Sequence, residues 1–498
     1  MLSALLIQSL YGPDNSAWPQ YRHDYKRTGY YVWPANCASI THMYDVVHGS
    51  IDEGIIGQDA NGDGGVDIIG TQQSSSVYGV MAVDGITGDT LWENRMDYFA
   101  GPGIASAAAS RDKVFANGYA YFSVLDLSTG ATIYQYNKPD ARDASPAIAD
   151  VDGDGCPEVY TAFGTEAVAI DGCASTYTAL WLYSLPAAAY APALGDIDGD
   201  GLEEVLYPLA NGEIYVLDAL TGTLHSSFSA GVPSSLTLYP DYTIALGDVD
   251  GDGKDEVAVP TPTSIAVYKY RGFIFGWVNM WSVGGFTDGS PVALADKDGD
   301  GLVDVWMNHG GDLYIYKGLD GTLLANTSGL GVNGGDGLGY PPTLVDLTGD
   351  FFPDVLEITN DYYVSLLDGL SLTSLGSYGP TPYSITSEVI VLKLGGSLAF
   401  AVGDYSCHIN AWGTCPLGYD DPTDVSEKPD VVSTTFKYEN GKLLVGASAP
   451  TVVSIYDRSG RTVMSVRVEG TETIDLRSLS KGVYIVKVGD GLHRIVIR

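Results

Sequence analysis

The stretch Asp248-Val-Asp-Gly-Asp-Gly-Lys-Asp-Glu256 indicates the fold, because variants of it recur along the first four hundred of the 498 residues. Five further nine-residue copies begin at Asp59, Asp150, Asp196, Asp296 and Asp346. Successive copies from Asp150 onward start 46 to 52 residues apart, whereas the first interval of 91 residues is close to two periods. Such self-similarity predicts an array of equal structural units. We expect residues 104–136 to form a unit that lacks the acidic loop.

Each unit has the same order of short apolar segments. One strand precedes the acidic loop, a second follows it, a third ends in a turn such as Val216-Leu-Asp-Ala-Leu-Thr-Gly222, and a fourth often carries a large aromatic residue. This pattern predicts an all-β fold in which residues 15–415 form an eight-bladed β-propeller, with seven blades as the alternative. The unit at 387–413 has only three strands. We predict that Ser39 to Val47 supplies the fourth and closes the ring, which removes an open sheet edge.

The acidic loops have the composition of calcium sites. Carboxylates at positions 1, 3 and 5 share one side of a tight turn, glycines at 4 and 6 let the backbone fold around a cation, and an acid at position 9 closes the cage. An all-oxygen shell of this kind suits calcium at roughly 2.3–2.6 Å per ligand. One such segment alone is equally compatible with an exposed acidic turn, but six in register favour metal binding.

We therefore predict five to six Ca²⁺ ions as cofactors. The copy at 346–354 is the uncertain sixth, because it has Thr348 at position 3 and Phe351 at position 6. The predicted ligands are Asp59, Asn61, Asp63 and Asp67; Asp150, Asp152, Asp154 and Glu158; Asp196, Asp198, Asp200 and Glu204; Asp248, Asp250, Asp252 and Glu256; Asp296, Asp298, Asp300 and Asp304; and Asp346, Asp350 and Asp354.

The loops resemble the calcium-binding FG-GAP and VCBS-type repeats of secreted and adhesive propellers. The Leu-Asp-x-x-Thr-Gly turns, with the opening stretch Trp18-Pro-Gln-Tyr-Arg-His-Asp-Tyr-Lys-Arg-Thr-Gly29, look like PQQ-type propeller repeats. The resemblance covers residues 15–413. It implies the fold, calcium and an extracytoplasmic setting, but no single activity.

The C-terminal part of the chain has a different character. After an acidic linker at 416–430, residues 431–498 carry 10 basic and 6 acidic side chains, a net charge of +4 against −41 for the preceding residues. Alternating apolar residues predict a small β-sandwich. The segment Leu479-Ser-Lys-Gly-Val-Tyr484 and its surroundings resemble the C-terminal sorting domain of the type IX secretion system. The resemblance implies export to the cell surface or beyond. A plain adhesive sandwich is the alternative.

Charge and hydropathy exclude some partners and leave the N-terminus open. The net charge of −37 argues against nucleic acid. No apolar run approaches the roughly 20 residues of a membrane helix, so we predict no membrane span. Residues 1–14 are interpreted as a signal-peptide remnant or an N-terminal strand. The basic residues Arg22, Lys26 and Arg27 are expected near the ring closure.

The five cysteines allow two interpretations. Cys156 and Cys173 fall within one repeat, and Cys37 lies near one end of the array while Cys407 and Cys415 lie near the other. In an oxidising compartment these residues can form two disulfides with one free thiol, or all five can be buried thiols.

No catalytic motif stands out. The seven histidines show no paired metal spacing, and neither a nucleophile elbow nor a phosphate-binding loop is present. We therefore favour a secreted, calcium-stabilised binding or structural protein of the cell surface, with roles in adhesion or self-assembly into filaments. The expected partners are copies of the chain itself, a surface glycan or another protein. The alternative is an extracellular polysaccharide lyase, since some lyases use calcium-bearing eight-bladed propellers.

Overall fold

The computed structural model is all-β in its described part. It describes residues 24, 26, 29–31, 40–47, 51–73, 78–95, 107–110, 112–118, 121–138, 144–232, 242–286, 288–332, 340–350, 352–394, 397–404, 408–416, 434–439, 442–457, 462–477, 479, 482–488 and 491–497. The predicted leader or strand at 1–14 and residues 417–430 of the predicted linker lie outside these ranges, and Pro416 ends the last propeller strand. No helix in the described part could cross a membrane.

Eight blades of four antiparallel strands each are numbered I to VIII in chain order, and the sheet of blade VII has a fifth strand. Two strands precede blade I, β1 (Tyr30–Tyr31) and β2 (Thr41–Val47). Blades I to IV contain β3 (Ile51–Gln58), β4 (Asp67–Gln73), β5 (Tyr78–Val83), β6 (Thr90–Arg95); β7 (Ala108–Ala109), β8 (Lys113–Asn117), β9 (Tyr121–Asp126), β10 (Thr132–Asn137); β11 (Ala147–Ala149), β12 (Glu158–Phe163), β13 (Glu166–Asp171), β14 (Ala179–Ser184); and β15 (Ala193–Gly195), β16 (Glu204–Pro208), β17 (Glu213–Asp218), β18 (Leu224–Ser229).

The remaining blades repeat this order. They contain β19 (Ala245–Gly247), β20 (Glu256–Thr261), β21 (Ser264–Tyr270), β22 (Trp277–Gly284); β23 (Val292–Ala295), β24 (Asp304–His309), β25 (Asp312–Tyr316), β26 (Leu323–Asn326); β27 (Thr343–Val345), β28 (Asp354–Ile358), β29 (Val364–Leu367), β30 (Ser374–Tyr378); and β31 (Ile390–Leu394), β32 (Ser397–Gly403), β33 (His408–Pro416) with β2. The loop-free unit expected within 104–136 is blade II.

The ring closes as predicted. Strand β2 pairs antiparallel with β33, with Thr41 opposite Gly413 and Val47 opposite His408, and so becomes the outermost strand of blade VIII. A segment near the start of the propeller thereby completes the blade at its end. The eight-bladed count is confirmed.

The chain before β2 lies against inner strands of the propeller. Strand β1 adds in parallel to β27 of blade VII. The Lys26 carbonyl oxygen accepts a hydrogen bond from the Leu246 N–H of blade V, and the Lys26 ammonium lies 2.7 Å from Asp255 Oδ2. The expectation that Lys26 frames the ring closure is therefore wrong. A buried carboxylate on blade V pairs with it instead.

Alternate blade pairs are joined by a tryptophan. Trp181, on the outer strand of blade III, donates a 2.8 Å hydrogen bond from Nε1 to the Ala219 carbonyl in blade IV. Gly222 of the same turn packs against the indole ring. The same bond joins blades I and II and blades V and VI, from Trp92 to Leu127 and from Trp281 to Gly318. The indole places a large apolar area between two sheets while its N–H finds an acceptor.

The C-terminal strands form one hydrogen-bonded sheet. They are β34 (Thr434–Glu439), β35 (Lys442–Asp457), β36 (Thr462–Asp475), β37 (Gly482–Val488) and β38 (Gly491–Ile497). The long strand β35 pairs with β34 through residues 442–447 and with β37 through residues 453–457, and its pairing with β36 is interrupted between those two parts. Leu443 from the first part and Val453 from the second belong to one buried cluster. The sandwich itself stays a prediction.

One predicted disulfide is present. Cys156 and Cys173 are bonded in blade III, with their Cα atoms 5.5 Å apart. The bond links the acidic loop before β12 to the turn after β13. The side chains of Cys37, Cys407 and Cys415 lie outside the described residues.

Candidate metal centres

The six acidic loops occupy one equivalent position in the fold. Each connects the first strand of a blade to the second, in blades I and III to VII. Because every blade has the same strand order, the loops share one face of the ring. The sequence repeat therefore becomes a ring of carboxylates.

The carboxylate at position 1 organises each loop through backbone amides. Asp196 Oδ1 accepts a 2.6 Å hydrogen bond from Gly199 N–H, and Oδ2 accepts one of 3.0 Å from Gly201 N–H. Both glycines have φ near +80° to +90°, a region that residues with a Cβ rarely adopt. The same pair of bonds forms at Asp59, Asp248 and Asp296.

The hydrogen-bond partners of the acid at position 9 depend on the length of its side chain. In blade IV, Glu204 Oε2 accepts a bond from Ile197 N–H at 3.2 Å. In blade VI, both oxygens of Asp304 accept backbone bonds, one from Lys297 N–H and one from the Gly318 N–H of the neighbouring turn. Asp67 and Asp354 make the same double attachment to Gly85 and Gly369. The shorter side chain therefore ties the loop to the sheet, whereas glutamate reaches toward the loop acids.

Four loops bring three carboxylates close enough to share an ion. In each group, one oxygen per residue lies within 4.8 Å of the others; the groups are Asp150, Asp152 and Glu158; Asp196, Asp198 and Glu204; Asp248, Asp250 and Asp252; and Asp296, Asp298 and Asp300. Among the described residues, the acids of the loops at 59–67 and 346–354 form no such group of three. The complete ligand lists, including Asp154, Asp200 and Glu256, stay predictions.

Two buried carboxylate oxygens in these groups have no hydrogen-bond donor within the described part of the chain. They are Asp150 Oδ1 and Asp250 Oδ1. A buried charged oxygen without a partner is costly, so at Asp150 it favours a bound cation. The other oxygen of Asp250 already lies 2.6 Å from the Lys269 ammonium, which supplies a counter-charge to that carboxylate.

Burial shifts the titration of the position-9 acids. Together with the repulsion from the neighbouring loop aspartates, it raises the pKa of Glu158 to about 7 and that of Glu204 to about 8. Burial likewise raises the pKa of Asp304 to about 7. Near neutral pH these groups hold a proton for part of the time unless a cation favours the ionised form.

Two lysines missed by the sequence reasoning enter the loops of blades V and VI. The Lys269 ammonium lies 2.6 Å from Asp250 Oδ2, 2.8 Å from Asp252 Oδ2 and 2.9 Å from Glu256 Oε1. The Lys317 ammonium lies 2.9 Å from Asp300 Oδ2 and 3.3 Å from Asp298 Oδ2.

An alignment of the repeats contains the signal for these lysines. At the end of the third strand, opposite position 9, blades III and IV carry Asp171 and Asp218. Blades V and VI carry Lys269 and Lys317 there.

Blade V also carries an apolar turn. Between β21 and β22 the chain reads Arg271-Gly-Phe-Ile-Phe-Gly276. The side chains of Phe273, Ile274 and Phe275 are 97, 86 and 76% exposed. We call these three residues the apolar tip. Contiguous exposed apolar residues often mark interaction sites.

Both parts of the chain match known protein families. Residues 248–307 match the model of an FG-GAP-like repeat, and residues 439–498 match that of a secretion system C-terminal sorting domain. No curated protein matches the chain.

A solved structure with a TM-score above 0.5 shares the fold. The quinohemoprotein alcohol dehydrogenase from Comamonas testosteroni is 12% identical, with 85% of this chain and 83% of that chain covered and a TM-score of 0.54. BamB from Moraxella catarrhalis is 14% identical, with 76% and 100% covered and a TM-score of 0.49. At such identities the likeness concerns the fold alone. The chain thus combines an eight-bladed β-propeller containing an FG-GAP-like repeat with a type IX sorting domain, which directs export to the cell surface or the extracellular space.

Proposed function

We propose that this exported protein is a calcium-stabilised binding protein of the cell surface, in which the propeller is a rigid scaffold for contacts with a partner. The observation that carries the calcium part is the blade III loop. There the buried Asp150 Oδ1 has no donor among the described residues, while Asp152 and Glu158 bring further oxygens within 4.8 Å. An all-oxygen donor set of this charge fits calcium.

The residues that would hold the ion are those of the best-formed groups. In blade III they are Asp150, Asp152 and Glu158, and in blade IV the equivalent Asp196, Asp198 and Glu204. Bound calcium supplies positive charge that offsets repulsion between these carboxylates. Since each loop connects the first two strands of its blade, the protein's own carboxylates would then hold those strands in register.

The binding role is supported by the apolar tip. Its three side chains project from a hairpin turn on a strongly acidic protein. They offer an uncharged apolar surface that a partner can cover without burying a charge. A partner with an apolar groove, including a second copy of this chain, suits such a surface. The lyase alternative needs unpaired basic side chains beside calcium. Lys269 and Lys317, which lie at the loops, are paired with carboxylates instead.

Elemental analysis tests the calcium part of this proposal. Purified full-length protein should contain calcium by elemental analysis, and Asp152→Asn should lower the content by about one ion per chain. Asp112→Asn is the control, because Asp112 lies in the equivalent connection of blade II, which lacks the acidic motif. The calcium proposal fails if the wild type contains none.

The binding part is tested by light scattering in calcium. Replacing Phe273, Ile274 and Phe275 together by serine should reduce self-association or the capture of cell-surface partners, without changing the melting temperature. Leu182 and Leu224, which are about half exposed on other blades, provide control positions for serine substitution. Equal association of the tip variant and the wild type would argue against the tip as the contact.

A further inference from the structure

In blades V and VI, the ammonium group of a lysine lies among the carboxylates of the acidic loop. Lys269 comes from β21, and its ammonium contacts three carboxylates from the loop and from position 9 of the same blade. Lys317 follows β25 and contacts two loop carboxylates of blade VI. These contacts are within hydrogen-bond or ion-pair distance, so each ammonium occupies the side of the loop where the carboxylates converge.

We propose that Lys269 and Lys317 act as tethered counter-ions that replace calcium in blades V and VI, so that the repeats are divided into calcium-binding and lysine-neutralised blades. This inference rests on the proposed calcium function only for the calcium-binding blades. It changes the expected ion count, since two of the motifs that looked suitable for calcium would not take it up.

The physical reason is direct competition for the same oxygens. Asp250 Oδ2, Asp252 Oδ2 and Glu256 Oε1 all accept from Lys269, and a calcium ion using these atoms would have to displace the ammonium or share the site with it. Two cations within a few ångströms repel each other. The side chain of Lys269 is only 11% exposed, so little solvent is available to receive the displaced charge.

Blades III and IV differ at the equivalent position. Asp171 and Asp218 stand opposite the position-9 glutamates, where they add negative charge. Asp171 Oδ1 accepts from Cys173 N–H, and Asp218 Oδ1 accepts from Thr221 N–H, so both carboxylates shape the turn after the third strand. A lysine at this position therefore changes both the charge of the neighbouring loop and the chemistry of its turn.

The test compares calcium binding by full-length wild type with Lys269→Met and Lys317→Met, using calcium chloride in isothermal titration. Each variant should gain one calcium site, and the affinity at that site should rise at least about tenfold over the wild-type loop. In a chelator each variant should melt at a lower temperature than the wild type, and calcium should restore the melt. Because Lys317 is the more exposed lysine, its variant provides the test if Lys269→Met does not fold.

Lys113→Met is the matched control. Lys113 is also buried, but its ammonium donates to the carbonyls of Gly172 and Cys173. The carboxylate that it approaches, Asp112 at 3.7 Å, lies outside the acidic loops. Its variant should lose stability that calcium does not restore, and its ion count should equal that of the wild type.

The outcomes separate this inference from the calcium proposal. Equal ion counts and affinities in the wild type and both variants would overturn the tethered counter-ions while leaving calcium binding intact. Calcium binding by the variants alone would support the counter-ions and refute calcium stabilisation of the wild type. No binding by any of these proteins would refute both.

Discussion

Gly222 lies so close to Trp181 that a methyl group on its α-carbon would be 2.5 Å from the indole Cδ2 atom. The glycine belongs to blade IV and the indole to blade III, so the contact joins two sheets. The short approach explains why the Thr-Gly turn ends in glycine here: its φ is +66°, and no side chain fits under the ring.

Gly222→Ala should therefore lower the free energy of unfolding by about 2–4 kcal/mol, from left-handed strain together with overpacking against the indole. Gly231→Ala is the matched control, since Gly231 has φ +70° and no neighbour within 4 Å of an added Cβ. It should show only the backbone cost of about 1–2 kcal/mol. Thermal and denaturant unfolding of both variants measure the difference. Equal losses would contradict a steric role for Trp181.

Removal of calcium should lower the melting temperature of the wild type. A ligand that binds only the folded state stabilises it by about 2.7 kcal/mol per site when present at 100 times its dissociation constant. Calorimetry in excess EGTA, and again after calcium is restored, measures the effect. Magnesium should restore less of the stability, because it gives up its waters reluctantly. An equal melting temperature in all three conditions would show that calcium does not stabilise the protein.

Calcium should remove a fall of stability with rising pH that the protein shows without the ion. Without the ion, the folded-state pKa values of Glu158 and Glu204, about 7 and about 8, lie above the usual value of 4.5. The folded state then binds more protons than the unfolded chain between about pH 4.5 and 8, so stability falls as pH rises through this window. With calcium bound, the ionised carboxylates are favoured and stability should not fall. Melting temperatures at pH 5.5 and 8.5, with and without chelator, provide the check.

Lys26→Met should destabilise the propeller through the carboxylate that it leaves behind. Asp255 is buried, and its Oδ2 also accepts from Asp196 N–H. Loss of its ammonium partner should cost about 2–3 kcal/mol, less than for a fully buried pair because Lys26 retains some solvent contact. Lys26→Met combined with Asp255→Asn should recover part of the loss. If the double variant is no more stable than the single one, the ion pair is not the cause.

The fold followed from the sequence because its signals are local and repeated. Six acidic loops between apolar segments set the blade period, and the three-stranded last unit together with Ser39 to Val47 predicted the closing strand later found as β2. Position-1 aspartates and their glycines define each loop within nine residues. Such short-range patterns can be interpreted without knowing which other parts of the chain pack against them.

Tertiary structure decided which partners the acids of the six similar loops contact. Asp304 and Glu204 both occupy position 9 of the repeat, yet Asp304 accepts from two backbone amides while Glu204 approaches the loop acids. Lys269 lies 13 residues beyond Glu256, but strand pairing brings its ammonium to that carboxylate. The N-terminal Lys26 reaches Asp255 of blade V across more than two hundred residues. The sequence by itself determined the repeat, the loops and the export domain. The packing of the sheets decided which carboxylates pair with a lysine, because these pairs depend on distances between residues that are far apart in the sequence or on different strands.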